Sequence, residues 1–339
     1  MSRYQPPLTL TPRMLSLIAE ISEQIGQLSA GGDSRQTPQL RRGNRIRTIQ
    51  ASLAIENNTL SVEQVTAVLA GQRVLGLPRE IQEVRNAFSA YEAMPHWQPG
   101  DRADLLRAHE LLMHGLIDDC GQFRQAGVGI YRGEQLVHMA PPPSRLTHLM
   151  DDLLAWLGAC DWHPLIISCV FHYEFEFIHP FADGNGRMGR LWQTLILSQW
   201  RPVLAYLPVE AVIREQQDAY YAALSAADQL AESTPFVEFM LQALSLALTE
   251  AVRSEPRTDQ VTDQVTDQVA KLLSALDGRK PLKVNELMAQ LGLAHKATFR
   301  ANYLKPALAI GLIEMTDPES PNSPAQRYCL TALGKASVS

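Results

Sequence analysis

Residues 179–190 bring together, in one short stretch, side chains that suit phosphate chemistry. The stretch reads His-Pro-Phe-Ala-Asp-Gly-Asn-Gly-Arg-Met-Gly-Arg. Its closely spaced glycines allow backbone N–H groups to converge on an anion, and a helix that starts here adds unpaired donors and the positive end of its dipole. Arg187 and Arg190 are three residues apart, so both can bind phosphate oxygens from one helix face. The stretch therefore predicts a loop that binds a polyphosphate.

Two further side chains in this loop supply reactive groups. Asp183 offers one carboxylate, which suits a Mg²⁺ ion whose other ligands are phosphates and water. His179 titrates near neutral pH and suits a general base that takes a proton from an attacking hydroxyl. Taken singly, a histidine at a helix end, an Asp-Gly turn and two arginines on one helix face are common structural features. Together and in this order they indicate phosphoryl or nucleotidyl transfer, in which positioning and charge stabilisation dominate.

The elements that must position this loop are mostly helices. An apolar run at 164–178 leads into the loop, and a helical pattern at 191–200 leads out of it. Residues 128–139 differ, because two alternating stretches flank a glycine-containing turn and predict a β-hairpin. Apolar periodicity or capping signals predict further helices at 8–29, 41–54, from 61, at 78–93, 101–117, 144–157, around 213–224 and at 236–252.

At every specified position the loop matches the signature of the Fic family, His-x-Phe-x-(Asp/Glu)-Gly-Asn-Gly-Arg-x-x-Arg. The order of helices around a single hairpin also resembles the Fic fold over residues 1–250. The predicted fold class is mainly α: a Fic-type helical domain with one β-hairpin, the flap, plus a small winged helix-turn-helix domain. The resemblance implies a protein adenylyltransferase, which uses ATP and Mg²⁺ to transfer AMP to a Ser, Thr or Tyr hydroxyl of a target protein and releases pyrophosphate.

The resemblance also implies a role for each residue of the site. His179 would be the base, Asp183 would hold Mg²⁺, and Phe181 would anchor the loop in the core. The residues expected to bind ATP and its phosphates are Gly184, Asn185, Gly186, Arg187, Met188, Gly189 and Arg190, with Tyr220 or Tyr221 against the nucleotide. The flap residues expected to hold the target, by strand addition, are Val128, Gly129, Ile130 and Tyr131.

A second motif precedes the loop. Ser52-x-x-x-Glu56-Asn57 matches the family's inhibitory pattern, (Ser/Thr)-x-x-x-Glu-(Gly/Asn), in the class whose inhibitory helix is N-terminal. Ser52 and Glu56 are four residues apart and so share a helix face, and Asn57 tolerates the left-handed conformation at a helix end. We expect Glu56 to pair with Arg190 and thereby to remove a phosphate ligand.

The C-terminal part reads as a separate module. Three Thr-Asp-Gln-Val repeats at 258–269 predict a short helical linker, and 270–337 has the order helix, turn, helix and two strands that is typical of a winged helix. This module binds either DNA, through Lys296, Arg300 and Lys305, or a protein, and the sequence leaves both open.

The predicted domain organisation has four parts. They are an N-terminal helical region at 1–98 with the inhibitory helix, a catalytic core at 99–252, a linker at 253–269 and the winged-helix module at 270–339.

Composition limits the class of protein. The chain is 46% apolar and 19% charged with a net charge of -6, so nothing in its global charge favours nucleic acid or membrane. Neither a signal peptide nor an apolar run long enough to span a bilayer is evident. The four cysteines lie far apart without a Cys-x-x-Cys pair, which favours free thiols in the cytoplasm. The expected partners are a target protein, the chain itself through self-modification, and a second copy in a homodimer, with no membrane.

Two other functions share these residues. One is a different transfer on the same fold: a kinase reaction, another nucleotidyl or phosphocholine transfer, or removal of AMP. The other is a DNA-binding regulator in which the Fic domain only senses a nucleotide. Asp183 and the intact Gly-Asn-Gly favour AMP transfer over the kinase reaction, and a sensor would not need both His179 and Asp183.

Overall fold

The computed structural model of the protein describes residues 4–30, 38–132, 135–254, 267–278, 280–293, 295–317, 323 and 326–336. Its contacts divide the chain into two compact units, Met1–Val252 and Arg253–Ser339. Residues 258–266 of the Thr-Asp-Gln-Val repeats lie outside the described residues, so the structure does not report on that part of the predicted linker.

The first unit is mainly α-helical, as predicted. Over the described part of this unit its α-helices are α1 (Pro12–Ala30), α2 (Pro38–Ile55), α3 (Val62–Leu69), α4 (Pro78–Ala93), α5 (Arg102–Met113), α6 (Pro143–Leu157), α7 (Pro164–Ile178), α8 (Asn185–Trp200), α9 (Val209–Glu215), α10 (Gln217–Leu230) and α11 (Thr234–Ser254). Short 3₁₀ turns follow α4 and α8, at Met94–His96 and Pro202–Tyr206. The predicted hairpin is confirmed as β1 (Gly129–Arg132) antiparallel to β2 (Gln135–Met139), with a bulge between Ile130 and Tyr131.

The helices α7 and α8 form the centre of the core. Nearly every side chain of α7 is buried, and so is most of α8. Their bulky apolar side chains, such as Phe171, Phe175 and Trp192, are fully buried, and each buried side chain of this size contributes about 1.5–3 kcal/mol. The loop that joins the two helices is therefore held at both ends by the buried core of the unit.

The helix α11 corrects the expectation that the chain has no apolar run long enough to span a bilayer. Among the described helices, its segment Thr234–Val252 is long and apolar enough to cross a membrane by length and composition, with half of that segment buried. Its apolar character follows from its place in the core, because Phe236, Met240 and Leu244 are completely buried. Polar contacts also bind it to α1, since Ser245 Oγ donates to Glu20 Oε1 at 2.8 Å.

The second unit has its own small core around Leu272, Phe299 and Leu312. Its described elements are α12 (Asp267–Leu276), β3 (Leu282–Lys283), α13 (Val284–Gln290), α14 (Lys296–Phe299), a π-helical turn (Arg300–Leu304), α15 (Lys305–Ala309), β4 (Ile313–Met315), β5 (Arg327–Leu330) and α16 (Ala332–Ala336). The strands pair antiparallel in the order β3-β5-β4.

The structure adds two features to the predicted second unit. The predicted strands at 311–315 and 326–330 are present, whereas β3 was missed because it is only two residues long. The π-helical turn lies just before Pro306, which has no N–H to continue the regular pattern, and the N–H of Lys305 bonds instead to the carbonyl of Arg300.

Candidate active site

His179 ends α7 in an unusual backbone conformation. Its φ of 50° and ψ of 60° lie in the left-handed region, which costs a non-glycine residue about 1 kcal/mol or more. The buried guanidinium of Arg124 holds this turn, because its Nε donates to the His179 carbonyl at 2.7 Å. Other donors of the same group reach Ala126 O at 2.8 Å and Pro141 O at 2.6 Å, on either side of the flap. Arg124 thus joins the flap to the candidate base, a role that sequence reasoning missed.

The ring of His179 is oriented as a general base requires. Its Nδ1 lies 3.3 Å from the main-chain carbonyl of Glu176, so Nδ1 carries the proton and Nε2 is the acceptor. Burial lowers the pKa of His179 to about 4, and the positive charges of Arg124 and His138 act in the same direction. The imidazole is therefore neutral at physiological pH and able to accept a proton.

Phe181 anchors the loop, as predicted, through a histidine that sequence reasoning did not assign to the site. The ring of Phe181 is fully buried and stacks on His109 with 3.6 Å between centroids. The Nδ1 of His109 accepts from the N–H of Gly121 at 2.9 Å, so its Nε2 donates to the carbonyl of Asp183 at 3.0 Å. His109 therefore fixes the main chain of Asp183.

Asn185 closes the loop on itself. Its side-chain amide accepts from the N–H of Phe181 and donates to the carbonyl of Phe181, both at 2.9 Å. Both ends of this buried amide are bonded within the loop, and the main-chain N–H of Asn185 lies at the N-terminus of α8, where it can serve an anion. Gly184 precedes it with a φ of 86°, where an added Cβ would also lie 2.7 Å from Met113 Sδ, and glycine is the residue that tolerates both conditions.

Asp183 and Arg187 belong to a ring of alternating charges. Arg187 Nη2 lies 2.9 Å from Asp183 Oδ1, and Arg79 Nη2 lies 3.2 Å from Asp183 Oδ2. Glu83 lies 3.5 Å from both arginines. The side chain of Asp183 is 41% exposed, whereas that of Arg187 is buried. The described residues contain no group of three or more His, Cys, Asp or Glu side chains that could hold a metal unaided.

The predicted pairing of Glu56 with Arg190 is present. Arg190 Nη2 donates to Glu56 Oε1 at 2.7 Å, and the same side chain donates to Ser52 Oγ and Ser52 O, each at 3.0 Å. Burial opposes the charge on Arg190, but the Glu56 carboxylate together with Tyr220 and Glu176 outweighs it and raises the pKa of the guanidinium. A Cβ on Gly186 would overlap Glu56 Oε1. The carboxylate therefore lies against the N-terminus of α8, where an anion is expected to bind.

The end of α2 is held from two sides. Asn57 has a φ of 69° and ends the helix, as predicted. Asn58 then donates to Glu83 Oε2 on α4 at 2.9 Å, and Gln217 on α10 donates to the carbonyl of Ile55 at 3.0 Å. The turn that carries Glu56 is thus attached to α4 and α10 as well as to Arg190.

Met188, Gly189 and Tyr220, which were expected to bind ATP, are packed within the core. Met188 is fully buried, and its N–H bonds to the carbonyl of Gly184. A Cβ on Gly189 would lie 2.8 Å from His172, so this glycine permits close packing of α8 on α7. Tyr220 is only 2% exposed and its hydroxyl bonds to His172 Nε2 at 3.1 Å, which leaves no surface for a ligand. Tyr221 is half-buried and remains a candidate.

The flap contacts the rest of the unit through its second strand. His138 Nδ1 lies 3.0 Å from Asp228 Oδ2, and its Nε2 donates to the carbonyl of Phe177 at 2.8 Å. Burial lowers the pKa of His138, but these two acceptors outweigh it and raise the pKa overall. Val128, Gly129 and Ile130 are half-buried on the first strand, and the side chain of Tyr131 lies outside the described residues.

Two family models match the chain. Residues 99–197 match the model described as Fic/DOC family, and residues 267–331 match the one described as filamentation induced by cAMP protein Fic-like, C-terminal domain. A Fic family protein from Desulfovibrio desulfuricans G20, known from its crystal structure, is 62% identical with a TM-score of 0.73, covering 97% of this chain and 99% of that one. The protein belongs to the Fic family.

More distant relatives agree with this result. Residues 134–508 of Fic-1 from C. elegans share the fold, with 22% identity and a TM-score of 0.56 over 71% of either chain. Curated proteins named protein adenylyltransferase Fic are 29% identical in Aedes aegypti and 30% identical in Culex quinquefasciatus, over 208 residues. Those matches cover 58% of this chain but 39% of the relatives, so the chain spans less than half the length of the curated proteins it matches.

Proposed function

We propose that the protein is a protein adenylyltransferase, which transfers AMP from ATP to a Ser, Thr or Tyr hydroxyl of a target protein and releases pyrophosphate. The observation that carries the proposal is the neutral His179, whose Nε2 is free to accept a proton beside a helix N-terminus that bears two buried arginines. The name of the mosquito relatives, protein adenylyltransferase Fic, supports it.

The residues of the site have the following roles in this reaction. The N-terminus of α8 and the guanidinium groups of Arg187 and Arg190 bind the phosphates of ATP and stabilise the charge that develops during transfer. The target hydroxyl attacks the α-phosphorus, a new O–P bond forms, and the bond from that phosphorus to the bridging oxygen of pyrophosphate breaks. The hydroxyl proton passes to His179 Nε2. The main-chain contact at Nδ1 keeps the ring in the tautomer that this step needs.

Asp183 fits the Mg²⁺ that the family implies. Its partly exposed carboxylate is bound by Arg187 and by the exposed Arg79, so one oxygen becomes accessible when Arg79 turns away. A single carboxylate is sufficient when phosphates and water complete the octahedron. When bound, the ion neutralises phosphate charge and favours departure of pyrophosphate.

Glu56 restrains this activity in the proposed function. It holds Arg190 and lies against Gly186, so it occupies the place and the partner of a phosphate. Because Arg190 is buried, removing its anion without a replacement is unfavourable. Release of the α2 end therefore needs a trigger such as a partner, a changed oligomeric state or self-modification.

The function is tested by incubating the Glu56→Gly variant with labelled ATP and measuring the incorporation of label into the protein itself. We expect incorporation of label from the α-phosphate to rise roughly tenfold or more over wild type, and label from the γ-phosphate not to be incorporated. Adding His179→Ala should abolish incorporation while ATP still binds. Glu63→Gly, which removes an exposed glutamate on the neighbouring α3, is the control and should leave incorporation at the wild-type level. Incorporation of the γ-label would show a kinase instead, and no incorporation with Glu56→Gly would reject the proposal.

The second unit is proposed as a winged-helix module. Its order of helices and a three-stranded sheet supports this assignment, and the exposed Lys296, Arg300 and Lys305 suit contact with DNA phosphates. Fluorescence anisotropy of a labelled DNA duplex with the full chain distinguishes DNA from protein docking. Salt-sensitive binding that weakens in Arg300→Ala supports DNA, and no binding at low salt favours a protein partner.

A further inference from the structure

Glu176 is a largely buried carboxylate directly beneath the candidate base. It lies on α7, one helical turn before His179, and its side chain is 11% exposed. Its Oε2 is 3.9 Å from His179 Nδ1, and its Oε1 is 3.9 Å from His172 Nε2. That Oε1 is sealed from solvent and has no hydrogen-bond partner among the described residues. Because a buried, unsatisfied carboxylate is costly, packing alone does not explain why this side chain is present.

His172 does not neutralise Glu176. The Nδ1 of His172 bonds to Gln193 Oε1 at 2.7 Å and therefore carries the proton, since Gln193 donates through its amide nitrogen to Cys169. Its Nε2 accepts from the Tyr220 hydroxyl and has no proton to offer Glu176. Burial also lowers the pKa of His172 to about 3. His179 Nδ1 is thus the neighbouring N–H that can face this carboxylate.

Charged and titratable groups surround Glu176 from several elements. Burial is the largest influence and raises its pKa to about 7; Glu56 on α2 acts in the same direction, while Arg190 on α8 and His138 on β2 oppose it. Tyr220 on α10 also lies within electrostatic range. Glu176 therefore changes charge in the physiological pH range.

We propose that Glu176 is a positioning residue for His179, which in its charged form holds the Nδ1–H tautomer and stabilises the imidazolium formed when Nε2 takes the target's proton. This rests on the proposed function of the site. A base whose pKa is about 4 retains a proton poorly, and a carboxylate at 3.9 Å in a site shielded from water counteracts that weakness. The main-chain carbonyl and the side-chain carboxylate of Glu176 then both act on Nδ1 of His179.

The position of Glu176 also relates the base to the inhibitory helix. Glu56 repels the Glu176 charge and Arg190 attracts it. When Glu56 leaves, Glu176 loses its repelling neighbour and ionises at a lower pH. Release of the inhibitory carboxylate and strengthening of His179 therefore occur together.

The first test is ¹⁵N NMR of the His179 ring as a function of pH, which needs no activity. In the wild-type protein, ionisation of Glu176 should produce an inflection near pH 7 in the ring shifts, with the Nδ1–H tautomer favoured above it. Glu176→Gln, which is nearly isosteric, should remove the inflection and lower the Nδ1–H fraction. Glu174→Gln is the matched control, because Glu174 is a buried carboxylate two residues earlier that bonds to Tyr4 instead, and it should keep the inflection.

The second test is the pH–rate profile of AMP transfer in the Glu56→Gly background. The rate should rise as Glu176 ionises, at a pH below that of the wild-type inflection because Glu56 is absent, and Glu176→Gln should remove this rise and lower the rate at pH 8 by about tenfold or more, with ATP affinity unchanged. A wild-type ring without the inflection, or a Glu176→Gln variant with an unchanged profile, overturns the role of Glu176. An inflection that is present while no variant transfers AMP rejects the proposed function and leaves the Glu176–His179 coupling standing.

Discussion

Glu56 Oε1 lies 2.7 Å from Arg190 Nη2 and at the same time covers Gly186 at the N-terminus of α8. One carboxylate oxygen is thus bonded to a guanidinium and lies against the first turn of α8, and a guanidinium and a helix N-terminus are the features that make this end of the helix suit an anion. In the proposed function Glu56 takes the place of a phosphate, so Glu56 and the nucleotide are expected to compete for the same partners.

This competition has a consequence for stability. Glu56→Gly leaves the buried Arg190 without its anion, so we expect the free energy of unfolding to fall by about 1–3 kcal/mol. Pyrophosphate or ATP should restore the loss by binding the folded state, and should raise the melting temperature more in the variant than in the wild type. Thermal unfolding with and without each ligand checks this. A variant that is as stable as the wild type, or that gains no more from the ligands, contradicts it.

The ring of alternating charges around Asp183 predicts that Arg79 weakens the binding of a metal ion. Its guanidinium lies 3.2 Å from Asp183 Oδ2 and its side chain is exposed, so Arg79→Ala should tighten divalent-ion binding only modestly, by roughly two- to fivefold. Paramagnetic NMR titration with Mn²⁺ in the presence of ATP measures the affinity. The matched control is Arg102→Ala, which breaks the exposed ion pair with Asp151. A lower affinity for Mn²⁺ in Arg79→Ala would show that Arg79 supports the metal site rather than competing with the ion for Asp183.

Arg124 is expected to matter for the rate rather than for nucleotide binding. Lysine cannot reproduce its fork of donors to His179 O, Ala126 O and Pro141 O. We expect Arg124→Lys in the Glu56→Gly background to lower the rate of AMP transfer by tenfold or more, whereas the ATP dissociation constant should change by less than about threefold. Stopped-flow transfer assays and calorimetry give the two quantities. Equal losses in the rate of transfer and in the affinity for ATP would mean that the variant disturbs the whole loop.

Glu176 should make the protein less stable as the pH rises. Its pKa increases from 4.5 to about 7 on burial, so between these values the unfolded chain loses its proton while the folded chain still holds it. The folded state is then penalised at pH 8 and not at pH 4. Glu176→Gln should raise the free energy of unfolding at pH 8 by up to roughly 3 kcal/mol and change it little at pH 4.

Urea unfolding at the two pH values measures this difference. Asp151→Asn, which removes an exposed carboxylate, should show no such pH dependence. An effect of Glu176→Gln that is the same at pH 4 and pH 8 would mean that packing, and not ionisation, is responsible.

The site residues that could be predicted from the sequence are those that lie close together along the chain. His179, Asp183 and the two arginines lie within twelve residues, and Glu56 lies in a recognisable pattern. Arg124 and His109 were missed because they are 55 and 74 residues from their partners in the loop, and neither has a distinguishing neighbour in the sequence.

The burial of Met188, Gly189 and Tyr220 was not predicted, for a different reason. A signature counts positions along the chain, whereas a helix turns only some successive positions to the core; Gly189 lies against His172 of α7, and Met188 is buried. The helices themselves were predictable from apolar periodicity. Their ends were not, because turns such as that after Met113 depend on local backbone conformation that periodicity does not report.

The bonds of Arg124 to both sides of the flap and to the His179 carbonyl have a mechanical consequence. The hairpin and the proposed base therefore share one support, so in the proposed function we expect a displacement of one to affect the other. A target segment that docks on the flap in the wrong register pulls on the main chain of His179 as well. In the proposed function, selection of the target and alignment of the base are therefore expected to be a single event.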